Sequence, residues 1–219
     1  MPSIAIIGAS RGIGRELVSQ YAAAGWDVHA TARTEADIAE LAAAGVHAAH
    51  ADVTDEASLA AVAATLPDLD VVIANAGVGS TERNLADIDI AHWERVMRVN
   101  ALGPLLVART VGLKLKRPGG RFAALSSMMG SIAINSGKAW AYRMSKSALN
   151  MAMSNLAIEW APDGVAVATL HPGWVKTAMG GPQAPVEVAD SAAGLRRVID
   201  TLAPGKVRYL DYTGAELGW

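Results

Sequence analysis

Cysteine is absent, which removes disulfide bonds, thiolate nucleophiles and cysteine-ligated metals and is compatible with a reducing compartment. An excess of charge is missing too. Against 19 basic residues stand 21 acidic ones, for a net charge of -2 at pH 7, with no block of like sign. Such a balance leaves no electrostatic footprint for nucleic acid or an anionic membrane. The first residues, MPSIAIIG, lack a basic segment followed by a cleavage site, and no apolar run reads as long enough to span a bilayer. Linkers, repeats and low-complexity segments are lacking as well, so residues 1–219 read as a single domain. With 52% hydrophobic and 18% charged residues, the chain is neither disordered nor fibrous and must bury a large core. The expectation is a soluble cytoplasmic protein whose partner is a small molecule.

What is present is an alternation of strand and helix. Ser3–Ile7 is a short apolar strand that stops at Gly8-Ala9-Ser10-Arg11-Gly12-Ile13-Gly14, after which ELVSQYAAAG has helical periodicity. Glycines between a strand and a helix let the backbone approach a diphosphate, and the helix N-terminus supplies free N–H groups. A second strand, Asp27–Thr31, leads to Ala32, Arg33 and a helix from Glu35 to Ala44. An acid just after that strand would bind ribose hydroxyls, whereas a neutral residue with a neighbouring Arg accommodates a 2′-phosphate. Ala32 is neutral, and Arg33 with Arg11 can bracket the phosphate, which favours NADP(H) over NAD(H). The third strand, Val46–Ala51, ends at Asp52 and Val53, where Asp52 can accept from an adenine amino group. His47 and His50 flank it without other metal-ligating neighbours, so they read as surface histidines and no metal is expected. A helix over Glu56–Leu66 and a fourth strand, Asp70–Ala74, lead to the small residues Asn75, Ala76 and Gly77, where a cofactor can pass close to the strand tip.

A long helix from Ile90 to about Lys116 contains Asn100 and Pro104, whose ring clashes with the Asn100 carbonyl and predicts a kink. Arg121–Ser126 is the fifth strand. The following stretch, SSMMGSIAINSGKAWAYRMSKSALN, places Tyr142 and Lys146 one helical turn apart, so phenol and ammonium share a face. A cation about 4 Å from a phenol is worth about 4 kcal/mol at an effective dielectric of about 20, enough to draw its pKa from about 10 towards neutrality. Ser126 and Ser127 can offer a hydroxyl to an oxygen bound beside the phenol. The helix continues to about Trp160, and a sixth strand, Val165–Leu170, empties into HPGWVKT. There an extended turn can bond a carboxamide through backbone groups and the Thr177 hydroxyl. A helix over Pro185–Leu202 and a strand over Val207–Leu210 close the chain. The alternation predicts a doubly wound parallel sheet of about seven strands with helices on both faces.

With these residues placed, the chain resembles the short-chain dehydrogenase/reductase family over essentially its whole length. The resemblance rests on G-A-S-R-G-I-G, N-A-G, the helix Asn, S-S, Y-x-x-x-K and P-G-x-x-x-T in that order. SSMMGSI, AYRMSKSALN and HPGWVKTAMGG look like the subgroup of C-factor and Sniffer-like carbonyl reductases. The family implies a Rossmann-type fold and carbonyl reduction, with the cofactor carrying the hydride. It implies Tyr142 as general acid, Lys146 as its pKa-lowering partner and ribose ligand, Ser127 orienting the carbonyl, and Asn100 holding the helix kink and a relay water. The cofactor would rest on Gly8, Ser10, Arg11, Gly12, Ile13 and Gly14, on Arg33, Asp52 and Val53, and on Asn75, Ala76 and Gly77. Beyond the sixth strand, Pro172, Gly173, Val175 and Thr177 would complete its site.

Three positions depart from the family pattern. Ile7 stands where a turn-bracing Thr is common, the loop from Ser127 to Tyr142 is a couple of residues longer, which leaves Ser126 as an alternative, and Ala178 replaces a frequent acid. Met128, Met129, Trp140, Trp174 and Met179 flank the presumed cleft and imply a mainly apolar pocket. The family further implies a homodimer or homotetramer built on the helices from Ile90 and from Trp140. A nucleotide-sensing or signalling protein of the same fold is the competing reading.

Overall fold

Ser3–Ile7 forms β1 with all five side chains buried, the pattern of a strand covered on both faces. The chain then alternates through α1 (Gly12–Ala23), β2 (Asp27–Ala32), α2 (Glu35–Ala43), β3 (His47–His50), α3 (Glu56–Thr65) and β4 (Val71–Ala74). Its second half carries α4 (Ile90–Met97), α5 (Gly103–Arg109), β5 (Arg121–Leu125), α6 (Trp140–Trp160), β6 (Ala166–His171), α7 (Val188–Asp200) and β7 (Arg208–Asp211). The computed structural model describes all 219 residues. Its seven strands make one sheet, parallel throughout, in the order β3-β2-β1-β4-β5-β6-β7. This is the expected doubly wound sheet. Strand ends lie within a residue or so of the sequence reading, and Ala32 closes β2 rather than following it.

Alternation along β1 sorts its side chains onto two cores. Ile4 and Ile6 pack with Leu17 and Tyr21 of α1, Leu41 of α2 and Leu195 of α7. Ala5 and Ile7 face Leu59 of α3, Val107 of α5 and Leu149 and Met153 of α6. The sole Phe of the chain, Phe122, meets Trp160 edge-on at 5.8 Å in that second core. Strand order reverses at β1, which pairs with β2 on one side and β4 on the other. Connections leave that point in opposite directions, so a crevice opens above the carboxyl ends of β1 and β4.

The long helix expected from Ile90 is broken. Arg98–Leu102 widens into a π-helical turn in which the Gly103 N–H reaches the Arg98 carbonyl. Pro104, one residue on, has no N–H with which to restore the α pattern. Thr110 (φ -119°, ψ -80°) ends α5, and a 3₁₀ turn follows over Val111–Lys114. One expectation needs correction here. Ile90–Lys114 is 25 residues long with a window of mean hydropathy 1.2, long and apolar enough to cross a membrane by length and composition. In the fold it lies half buried against α6 and α3, interrupted twice, as a core helix.

Candidate active site

The turn after β1 is shaped by missing side chains. Gly8 has φ +89°, and a Cβ on it would fall 2.8 Å from the Ala76 Cβ. On Gly14 a Cβ would fall 2.5 Å from the Asn75 amide nitrogen and 2.6 Å from the Gly8 carbonyl oxygen. The Asn75 amide itself donates to that carbonyl, which ties the tip of β4 to the turn. Thr31 supplies the brace that Ile7 cannot. Its hydroxyl accepts from the Gly8 N–H at 3.1 Å and its carbonyl from the Ala9 N–H at 2.7 Å. No side chain caps the N-terminus of α1 and its first turn has no acid, so its free N–H groups face the crevice.

A cleft of about 450 Å³ fills that crevice. Gly8, Ser10, Arg11, Gly12 and Ile13 line one wall, with Arg33, Asp52 and Val53 at one end. Asn75, Ala76 and Gly77 line the middle, and Tyr142, Lys146, Pro172 and Thr177 the other end. Arg11 and Arg33 enter no ion pair, and Ala32, buried beside them, brings no carboxylate. Asp52 is held ionised by the backbone N–H of Thr54 (2.8 Å), against burial, with the Thr54 hydroxyl and Arg33 adding to the effect. Gly14, Gly173 and Val175 lie behind the surface of the cleft. Gly173 turns at φ +88° against Tyr212, and buried Val175 pairs with Val186. Sequence reasoning missed Ala51, Val78, Val99, Leu125 and Lys176, which also line the cleft. Each adjoins an identified residue, and that adjacency was the available signal.

At the catalytic end, Tyr142 and Lys146 share one face of α6, and the Lys146 Nζ lies 5.7 Å from the phenol ring centroid. Lys146 is 4% exposed and donates to the Leu125 carbonyl at 2.6 Å. Burial pushes its ammonium down to about 8. For Tyr142 the expectation of a lowered pKa does not hold. Burial of the half-buried phenol raises it, and the Ser127 hydroxyl beside it opposes that rise. The ammonium is directed at a backbone carbonyl rather than at the phenol oxygen, so desolvation wins.

The two serines diverge. Ser126 donates to the Asn150 side-chain oxygen at 2.7 Å, while Ser127 meets the phenol and accepts from the Met129 N–H at 3.2 Å. Ser127 is thus the member of the pair beside the phenol, although Ser126 borders the cleft. Asn100, fully buried, clamps Val78 through both its N–H and its carbonyl at 2.8 Å and donates to the Ser145 hydroxyl at 3.0 Å. Its amide therefore locks the turn after β4 onto α6.

Away from the cleft, β2–β3 register places His29, not His50, beside His47. Ligand atoms of Asp27, His29 and His47 lie within 4.8 Å of one another. The imidazoles are stacked, with centroids 4.7 Å apart and planes 14° from parallel. Nitrogen lone pairs lie in the ring planes, and two parallel planes do not meet at one ion. Each Nε2 instead faces a different oxygen of Asp27, at 3.1 and 3.2 Å.

A glycine turn at the switch point and a Tyr–Lys pair at the opposite end of one cleft, with buried Ser127 beside the phenol, define a nucleotide-dependent oxidoreductase fold. Residues 2–187 match the family model described as short chain dehydrogenase, and the chain belongs to that family. Within it, the chain is similar to the C-signal of Myxococcus xanthus, 46% identical over 155 residues that cover 69% of this chain and 93% of that protein. Among solved structures, a short-chain dehydrogenase/reductase of Burkholderia multivorans with bound NADP is 31% identical, with a TM-score of 0.90 over 100% of this chain and 99% of that one. Carbonyl reductase Sniffer of D. melanogaster aligns over 100% of both chains with a TM-score of 0.92 and 27% identity.

Proposed function

We propose that the protein reduces a ketone, aldehyde or quinone to the alcohol with NADPH. The observation that carries this reading is the single cleft joining Arg11 and Arg33, with no carboxylate at Ala32, to the Tyr142–Lys146 pair. The glycine turn fits a dinucleotide, because its Cβ-free surface and the uncapped N-terminus of α1 admit and bind a diphosphate. Arg11 and Arg33 would hold the 2′-phosphate, Asp52 and Val53 the adenine, Asn75–Gly77 the adenosine side, Lys146 the nicotinamide ribose, and Pro172 to Thr177 the carboxamide. When bound, the cofactor supplies the hydride.

Tyr142 then gives its hydroxyl proton to the carbonyl oxygen as that oxygen gains negative charge. Ser127 donates a hydrogen bond to the same oxygen and fixes it against the phenol. Lys146, protonated at neutral pH with a pKa of about 8, stabilises the phenolate left behind and returns a proton to it from solvent. Asn100 keeps α6 and the turn after β4 in register, and its backbone, in the π turn, would hold the relay water. The protein is read as cytoplasmic. Leu102, Leu105, Met144, Met151 and Ile158, exposed along α5, α6 and the turn between α4 and α5, form the face on which a homodimer or homotetramer would close.

Similarity to a protein named C-signal favours one second reading, in which the nucleotide is bound without physiological turnover. Oxidation of NADPH and of NADH by a panel of ketones, aldehydes and quinones separates the two. Carbonyl-dependent consumption of NADPH is expected. NADPH binding without turnover of any carbonyl would support the signalling reading.

A further inference from the structure

The last ladder bond of β5 runs from the Ser126 N–H to the Leu170 carbonyl at 2.8 Å. Ser127 therefore lies beyond the sheet, in extended backbone (φ -158°, ψ 146°) at the mouth of a 3₁₀ turn over Met128–Gly130. Its carbonyl accepts from the Gly130 N–H at 2.8 Å, a bond internal to that turn. The far end of that turn is tied to α6, where the Ser147 hydroxyl donates to the Gly130 carbonyl at 2.8 Å, and the Ser127 end is held by Tyr209 on the edge strand β7. The fully buried Tyr209 donates its hydroxyl to the Ser127 carbonyl, and the Asn150 side chain, which accepts from Ser126, lies beside that hydroxyl and opposes the rise that burial gives its pKa.

The residues after β7 hold the Tyr209 ring in turn. The chain folds back so that the Leu217 N–H meets the Tyr209 carbonyl at 2.8 Å and Glu216 bridges Leu210. Trp219 then packs on the Tyr209 ring at 5.2 Å between centroids, while its carbonyl accepts from the Ala133 N–H at 3.0 Å, on the loop that continues from Ser127. Both ends of this clamp thus converge on one short segment.

We propose that Tyr209 is a positioning residue: its hydroxyl fixes the Ser127 main chain so that the Ser127 hydroxyl stays on the Tyr142 phenol, and Trp219 holds the Tyr209 ring in that pose. The proposal rests on the carbonyl-reductase reading for its kinetic consequences. Displacement of a catalytic group by about 1 Å costs on the order of 100-fold in rate, and a loosened anchor costs part of that. The titratable groups near the phenol are Lys146 on its own helix and Tyr209 itself. A phenol that loses the Ser127 hydrogen bond holds its proton more tightly.

Tyr209→Phe keeps the ring and removes only the anchor. Its kcat for carbonyl reduction should fall about 10-fold, with the KM for the carbonyl and the Kd for NADPH within about 2-fold of the parent. The alkaline limb of its pH profile should move to higher pH. In protein without cofactor or substrate, NMR of carbon-labelled tyrosine should show Tyr142 ionising at higher pH in Tyr209→Phe than in the parent. Trp219→Ala, at a half-exposed site, should shift kcat and the alkaline limb in the same direction by a smaller amount, and Trp219→Phe should restore them. Parental kcat with a parental alkaline limb in Tyr209→Phe would overturn the proposal, and if that variant does not fold, the same result in Trp219→Ala would do so. Absence of carbonyl turnover in the parent would sink the carbonyl-reductase reading instead, while the tyrosine titration would still decide whether Tyr209 positions Ser127.

Discussion

The two ends of the cleft are built by opposite means. At the phosphate end the working surface is made by atoms that are not there. Gly8 and Gly14 leave no room for a Cβ against Ala76 and Asn75, and the groups proposed to bind phosphate are backbone N–H donors and two arginines without an ion pair. At the catalytic end it is made by buried polar side chains. Asn100, Ser126, Ser127, Ser145, Lys146 and Asn150 are all buried, and each has a hydrogen-bond partner. Shape fails locally when a methyl is added. A satisfied polar network fails when one member goes, because the partner left behind keeps its desolvation cost.

The sharpest break in this contrast is Tyr142→Phe, which should lower turnover at least about 100-fold while NADPH affinity measured by fluorescence titration stays near the parental value. Comparable losses of both would mean that the catalytic end also shapes the phosphate end. Next in size is Arg33→Ala. One charge-assisted hydrogen bond is worth about 1.5 to 3 kcal/mol, so NADPH should bind roughly 10- to 100-fold more weakly and NADH almost unchanged. Ala32→Asp should invert the preference, and dissociation constants at one ionic strength give the answer. Equal losses for both cofactors in Arg33→Ala would remove this residue from phosphate recognition.

Lys146→Met probes the catalytic end from the side of stability. An ammonium held at about 8 rather than 10.5 costs the folded state about 3 kcal/mol at neutral pH, and the variant should be more stable by about 2 kcal/mol once about 1 is allowed for the lost bond to Leu125. The sign follows from proton counts. Below pH 8 both states are protonated and the full penalty is present, whereas between 8 and 10.5 only the unfolded state holds the proton, so the parent gains stability as pH rises. Urea denaturation should show the gap narrowing over that window, and a gap constant with pH would contradict a buried, protonated Lys146. The smallest effect belongs to Thr31→Val, which strips the acceptor from the Gly8 N–H at a cost of about 1 kcal/mol and should weaken NADPH and NADH alike. A selective loss of one cofactor would show that Thr31 acts through Arg33 rather than through the turn.

This contrast also explains what the sequence made legible. Gly8, Arg33 and Asn75 sit at strand ends and Gly12 at a helix start, which local patterns locate, and Tyr142 and Lys146 are related by helical spacing, so the sheet, the place of the cleft and a good part of its lining were readable from short stretches. Thr31 bracing Gly8, Asn100 clamping Val78, Asn150 holding Ser126 and Tyr209 reaching Ser127 are contacts between residues 22 to 82 positions apart, which no local pattern encodes. The raised pKa of Tyr142 was hidden for a related reason. Spacing on α6 put ammonium and phenol on one face, but the Leu125 carbonyl that captures the ammonium arrives from β5.

Thr31 has a practical consequence. The last two residues of β2 serve two purposes: Thr31 holds the glycine turn with its hydroxyl and carbonyl, and Ala32 sets the start of the loop bearing Arg33. Redesign at Ala32 is therefore mechanically coupled to the glycine turn that Thr31 braces one residue away. A bulky or charged replacement that tilts the end of β2 would loosen both nucleotides together, and an engineered switch would have to retain Thr31 and relieve crowding around the buried Ala32 before its selectivity could be read as electrostatic.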